Sequence, residues 1–198
     1  MRKFIIATAA FAAFFVMVSA DARASGPETD ARRFVEVFGN QVVALIKSPG
    51  ISANEQQTRL RMLLLANVDF EGISRYILGD HWNESTPEQR RDYQSLFAKY
   101  ALSLFSRTLL ERGVEGFTVV GLDRLKGSEA LVHTRIQQPQ GKALQWSWQV
   151  HESNGRYRAV DLVMNGVSLA NTYRAEIGSV VANLGIDGLL KILWIKSS

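Results

Sequence analysis

Apolar and polar positions along this chain follow two periods. The spacing is helical up to about residue 112, alternates by two beyond Gly116, and turns helical again after Gly166. The clearest helical stripe is Tyr93, Phe97, Tyr100, Ala101, Leu104, Phe105, Thr108 and Leu109, one face of an α-helix. Arg90, Arg91, Asp92, Lys99, Arg107, Glu111 and Arg112 fill its other faces. Thr86-Pro-Glu-Gln89 reads as the start of this helix. The Thr86 hydroxyl can accept a bond from an orphan first-turn amide, Pro87 gives up a donor that would have had no partner, and Gln89 completes a capping box. Gly113 supplies the stop. At about 1.5 Å per residue the helix is roughly 40 Å long, so a broad apolar surface must lie beneath it.

The remaining elements follow from the same two periods. Residues 30–47 carry Phe34, Val37, Phe38, Gln41, Val42 and Leu45 at helical spacing despite Gly39, and Ser48-Pro49-Gly50 breaks the run. Ser52-Ala-Asn-Glu55 is a second capping box, opening a helix through Leu60, Leu63, Leu64 and Leu65 to about Ala66. A shorter helix covers residues 69–78 and stops at Gly79. A short strand spans residues 117–120. Ala130, Val132, Thr134 and Ile136 then alternate with Leu131, His133 and Arg135. Leu144, Trp146, Trp148 and Val150 alternate with Gln145, Ser147, Gln149 and His151, and Ser153-Asn-Gly155 turns the chain back into a strand over residues 157–164. Consecutive strands with short turns favour an antiparallel meander. Leu169, Tyr173, Ile177, Val180, Val181 and Leu184 make another helical stripe, and Gly185-Ile-Asp-Gly188 opens a last helix that is apolar nearly all round. The expected class is α+β: a twisted antiparallel sheet of about four strands covered by several helices, in one domain without repeats or linkers.

Residues 1–24 read as a cleaved signal peptide. Arg2 and Lys3 precede an apolar run over residues 4–18, and Ala22-Arg23-Ala24 is a small-x-small cleavage site. The run is short of the roughly 20 residues a membrane span needs, although an uncleaved anchor is the other reading. The expected mature domain is residues 25–198. It retains 20 of the 23 basic and 18 of the 19 acidic residues, so half of the +4 charge of the full chain disappears. No basic run suggests a nucleic-acid partner, and export argues against one. With no cysteine, an exported domain must be held by packing alone, and a bacterial periplasm fits the export signal.

Catalytic and metal signals are sparse. His81, His133 and His151 are far apart in sequence with no ligand spacing, and neither a nucleophile elbow nor a phosphate loop or dinucleotide fingerprint occurs. His133 and His151 fall on the polar side of their strands, as solvated residues would. Asp161 lies in the apolar run Val160-Asp-Leu-Val-Met164, so its carboxylate must be paired, shifted or at an edge. It could be a general base in a cone-shaped sheet. It could equally be a structural carboxylate bonded to Arg75, Arg174 or backbone at the strand–helix junction. The aromatic content is the louder signal. Trp146 and Trp148 share a strand face, and the stripes add Phe97, Tyr100 and Phe105, which pack a core by default. Helices longer than their sheet also leave room for a wedge-shaped apolar cavity of the kind a fatty ligand requires.

Ile77-Leu-Gly-Asp-His-Trp82, Ser85-Thr-Pro-Glu-Gln-Arg90, Phe97-xx-Tyr100, Tyr157-xxx-Asp161-xxxx-Gly166-Val-Ser168 and Gly185-Ile-Asp-Gly-Leu189 occur in that order. Together they resemble the MlaC-type, or toluene-tolerance, family of periplasmic phospholipid-binding proteins, and also its hopanoid-biosynthesis-associated branch. The resemblance implies an NTF2-like carrier without catalytic residues or cofactor. It would hold acyl chains between its layers and exchange lipid between an outer-membrane lipoprotein complex and an inner-membrane ABC transporter complex with a lipid-binding subunit. The apolar faces place the expected pocket between the long helix, the 69–78 helix and the Trp146/Trp148 face. Its expected lining is Phe70, Ile73, Ile77, Phe97, Tyr100, Leu104, Phe105, Trp146, Trp148, Val150, Leu162 and Met164. The alternative is an NTF2-like enzyme with Asp161 as base acting on a small hydrophobic substrate. A membrane-tethered interaction protein with an intact leader is a third class.

Overall fold

The two sequence periods separate into a helical layer and a meandering sheet in the computed structural model, which describes residues 26–197. The expected leader, residues 1–24, lies outside the described residues. The elements are α1 (Pro27–Ile46), α2 (Ala53–Asn67), α3 (Phe70–Leu78), α4 (His81–Glu84), α5 (Pro87–Arg112), β1 (Gly116–Arg124), β2 (Glu129–Gln137), β3 (Leu144–Ser153), β4 (Arg156–Met164), β5 (Val167–Ser168) and α6 (Leu169–Ser197). The sheet runs β1-β2-β3-β4-β5 with every neighbour antiparallel. The expected meander holds, extended by the two-residue β5. Short α4 is also additional, being too brief to leave a periodic signal.

Register brings the inward residues into rows. Val132 pairs with Trp148 and Trp148 with Leu162, while Thr134 pairs with Trp146 and Trp146 with Met164. Asn154 and Gly155 take positive φ at the β3–β4 turn, the geometry a two-residue hairpin requires. Strand β1 is longer than the expected 117–120, because a register shift between Val119 and Gly121 interrupts the alternation that sequence reading depends on. A second shift, opposite Gln149 and Val150, inserts Val160 into β4 and buries both Ala159 and Leu162. Ala159 also receives a bond from the Asp69 amide at 2.9 Å and bridges to Val68, which ties the α2–α3 junction to the sheet.

Helix α5 has its complete capping box, with Gln89 N to Thr86 Oγ1 at 3.2 Å and Thr86 N to Gln89 Oε1 at 3.0 Å. The box expected at α2 is half made. Ser52 accepts from the Glu55 amide, but the Glu55 carboxylate turns to Arg59 Nε at 2.6 Å. Helix α1 buries Ala31, Val35, Phe38 and Val42, leaving Val37 half exposed against expectation. It lies close on β1: a Cβ added to Gly39 would sit 2.2 Å from the Phe117 ring. The two expected C-terminal helices are the limbs of α6, broken at Gly185 (φ 70°, ψ 175°).

The apolar side chains form two clusters. One joins α1, α2 and the C-terminal half of α5 to the inner sheet face, through residues such as Phe38, Leu60, Leu64, Val132 and Trp148. The other joins α3, the N-terminal half of α5 and α6 through Ile77, Leu78, Tyr93, Phe97, Ile177, Leu189 and Leu193. Helix α5 therefore rests on α6, α3 and α2. It meets Trp146 and Trp148 of the sheet through Phe105, at ring separations of 6.2 and 6.3 Å.

Candidate functional site

Where the two clusters meet they do not close. A cavity of about 260 Å³ lies in the seam, lined by α2, α3, α5, β3, β4 and the start of α6. Its size sits near the lower end of the roughly 300–1,000 Å³ that ligand pockets enclose. The lining is almost wholly apolar. Phe70, Ile73, Ile77, Phe97, Leu104, Phe105, Trp146, Trp148, Leu162 and Met164 all border it, which is ten of the twelve residues expected from sequence. Ala101, Leu104 and Phe105 belong to the α5 stripe yet are only partly buried. A helix face that would ordinarily be sealed against a core instead faces an unfilled gap.

Tyr100 and Val150 are corrections to the expected lining. Val150 is fully buried in the first cluster and does not border the cavity. Tyr100 packs edge-on against Tyr173 at 6.4 Å and lies under Lys196 at 5.7 Å, because its position on α5 faces α6. The lining also contains Leu64, Val68, Ala101, Thr108, Ala159, Val160, Asp161, Leu169, Ala170 and Tyr173. Ala101, Thr108 and Tyr173 were visible in helical stripes, but nothing local aims them at this seam. Ala159 comes in through the β4 bulge, which leaves no sequence signal.

Asp161 is the charged residue of the lining, and its carboxylate is engaged by the fold. Oδ1 accepts from the Leu162 amide at 2.8 Å and the Ala170 amide at 2.9 Å, and Oδ2 accepts from the Ser168 hydroxyl at 2.5 Å. It is bonded at the strand–helix junction, to Ser168 and backbone rather than to Arg75 or Arg174. Two donors on Oδ1 and one on Oδ2 hold it in a fixed orientation, as a structural carboxylate at a strand–helix junction is held. Tyr173 is pushed up to about 12, first by burial and then by the facing Tyr100 hydroxyl. Burial likewise raises the Tyr93 hydroxyl, which has no hydrogen-bond partner among the described residues.

The histidines lie elsewhere. His133 is more constrained than a solvated side chain: Nδ1 meets Ser147 Oγ at 2.8 Å and Nε2 meets Asp123 Oδ2 at 2.9 Å. This Asp-His-Ser chain crosses the polar outer face of three strands, away from the cavity. His151 lies 3.9 Å from Glu129, and His81 bonds Glu84 at 2.7 Å. Among the described residues no group of three His, Asp or Glu side chains could hold a metal ion.

A solved structure with a similar fold is the phospholipid-binding protein from Ralstonia solanacearum, in complex with a phospholipid. It superposes with a TM-score of 0.69 at 21% sequence identity, covering 85% of this chain and 97% of that one. That likeness establishes the α+β fold. The family model described as MlaC protein matches residues 30–194, which takes in the helical layer, the whole sheet and most of α6. A match of that extent, together with the shared fold, places the chain in its family: it belongs to the MlaC family.

Proposed function

We propose that this protein is a soluble periplasmic lipid carrier. Residues 1–24 are its cleaved export signal and residues 25–198 its single lipid-binding domain. The observation that carries the reading is the apolar seam between the two hydrophobic clusters. Acyl chains lie against Phe70, Ile73, Ile77, Phe97, Leu104, Phe105, Trp146, Trp148, Leu162 and Met164, and the head group stays in water. Burial stabilises a chain by ~0.8 kcal/mol per methylene, so two sixteen-carbon chains represent on the order of 20 kcal/mol. Free lipid therefore cannot cross an aqueous space at a useful rate. A wall of nonspecific apolar contacts matches that burial while remaining able to release its load, without catalysis or cofactor. The ligand is a phospholipid or a hopanoid. The partners are an outer-membrane lipoprotein complex and an inner-membrane ABC transporter complex with its lipid-binding subunit. Membership in the MlaC family and the phospholipid held by the Ralstonia solanacearum protein support this assignment.

Denaturing mass spectrometry of the protein purified without detergent tests it. Co-purified phospholipid or hopanoid is expected, and none after gentle preparation overturns the reading. Leu104→Trp fills the seam and lowers lipid occupancy several-fold with the fold intact. Tyr100→Phe, off the lining, leaves occupancy unchanged. Equal occupancy in Leu104→Trp and the parent would mean that acyl chains lie elsewhere.

A further inference from the structure

The apolar distal limb of α6 is not used up by the core. Leu189 and Leu193 hold it against the molecule at 2% and 3% exposure, whereas Trp194 and Ile195 are 62% and 59% exposed, and Leu184 just before the Gly185 break is 59% exposed. By length and composition α6 could cross a membrane, yet only 22% of its most apolar stretch is buried. Lys191 and Trp194 lie one turn apart on the same exposed stripe as Ile195, with Lys196 beside them. Lys99 of α5 faces Lys191 and Trp194 across a surface groove of about 490 Å³. Among the described residues Lys99, Lys191 and Lys196 have no carboxylate partner. Acidic groups near this surface include Asp92 in the groove, Asp187, which accepts from Gln89, and Glu88, one turn before Asp92 and paired with Arg91.

We propose that this limb, with the facing edge of α5, docks the protein on an anionic lipid bilayer. Trp194 and Ile195 enter the interfacial zone, and Lys99, Lys191 and Lys196 meet lipid phosphates. An exposed tryptophan and aliphatic stripe flanked by lysines is the pattern of an interfacial helix. A symmetric contact with a second copy would set the same lysines against one another, which the charge pattern opposes. The inference rests on the carrier reading, since a carrier must bring its cavity to the bilayer surface. Helix α6 supplies the link: its first turn lines the cavity through Leu169, Ala170 and Tyr173, and Gly185 joins that limb to the docking limb.

The protein recovered from the exported fraction is mixed with phosphatidylglycerol–phosphatidylcholine vesicles or with pure phosphatidylcholine vesicles and sedimented. Binding is expected to the mixed vesicles. It should weaken as salt rises from about 0.05 to about 0.5 M. The double variant Trp194→Ser/Ile195→Ser loses roughly tenfold or more in partitioning, with circular dichroism and co-purified lipid unchanged. Lys191→Gln/Lys196→Gln loses the preference for the anionic vesicles. A parent protein that ignores anionic vesicles at low salt, or a Trp194→Ser/Ile195→Ser variant that binds as the parent does, overturns the proposal. A concentration-dependent dimer abolished by that variant would assign the face to a second copy and overturn it as well. Absence of co-purified lipid would sink the carrier reading while leaving the vesicle result standing, so the two failures are distinguishable.

Discussion

Asp161 illustrates how a residue's role depends on what the fold aims at it. Its position in an apolar strand was legible, and so was the need for partners; which groups bond it required α6. The β4 bulge and the two-residue β5 bring Ser168 and the Ala170 amide onto the carboxylate, which then caps the helix that walls the cavity. Asp161→Ala removes charge-assisted bonds from two amides and a hydroxyl. We expect a loss of about 2 kcal/mol in urea unfolding, with lipid content per folded molecule changed little. An unchanged unfolding midpoint would mean that the junction does not depend on this carboxylate.

At the scale of elements, Gly39 separates local preference from tertiary demand. By helix propensity alone, Gly39→Ala in α1 should gain up to ~1 kcal/mol. The added Cβ would fall 2.2 Å from the Phe117 ring, an overlap that must displace ring or helix. Overpacking of this kind costs about 1–3 kcal/mol, so the packing effect wins and Gly39→Ala destabilises. In a Phe117→Leu background the same change should become neutral or stabilising, and a double-mutant cycle by urea unfolding measures the reversal. Equal effects in both backgrounds would refute the contact as the cause. Helix α5 carries the parallel lesson for function. Its stripe was read correctly as apolar, but the stripe serves two surfaces: Tyr93 and Phe97 belong to one cluster, Leu109 to the other, and Leu104 and Phe105 face the gap between them.

For the whole molecule, two separate clusters mean that neither layer is sealed to the other along its full length. Tyr93, buried, and Tyr173, partly buried, report on one side of that seam. Tyr173, raised to about 12, and Tyr93, raised further by burial, remain protonated in the fold when an unfolded chain has begun to ionise near the usual value of 10.0. The unfolded state then binds fewer protons, so their contribution to stability is intact below about pH 10 and is lost as pH rises toward about 12. Urea midpoints should fall across that window, and Tyr173→Phe should flatten part of the slope. A slope that Tyr173→Phe leaves untouched would place the titration elsewhere.

Local rules carried much of the fold into the sequence. The capping box at Thr86, the stop at Gly79, the Asn154-Gly155 turn, the break at Gly185 and the alternation of Trp146, Trp148 and Val150 depend on neighbours a few residues away. The sequence reading named ten of the twenty residues that border the seam. Tertiary structure alone decided that Val150 is packed into the first cluster and off the cavity wall, that Tyr100 turns to α6, and that Ala159 and Tyr173 join the wall. The physical reason is that periodicity marks a side chain as turned away from water. Whether apolar atoms or an unfilled gap meet it there depends on how elements far apart in the chain pack together.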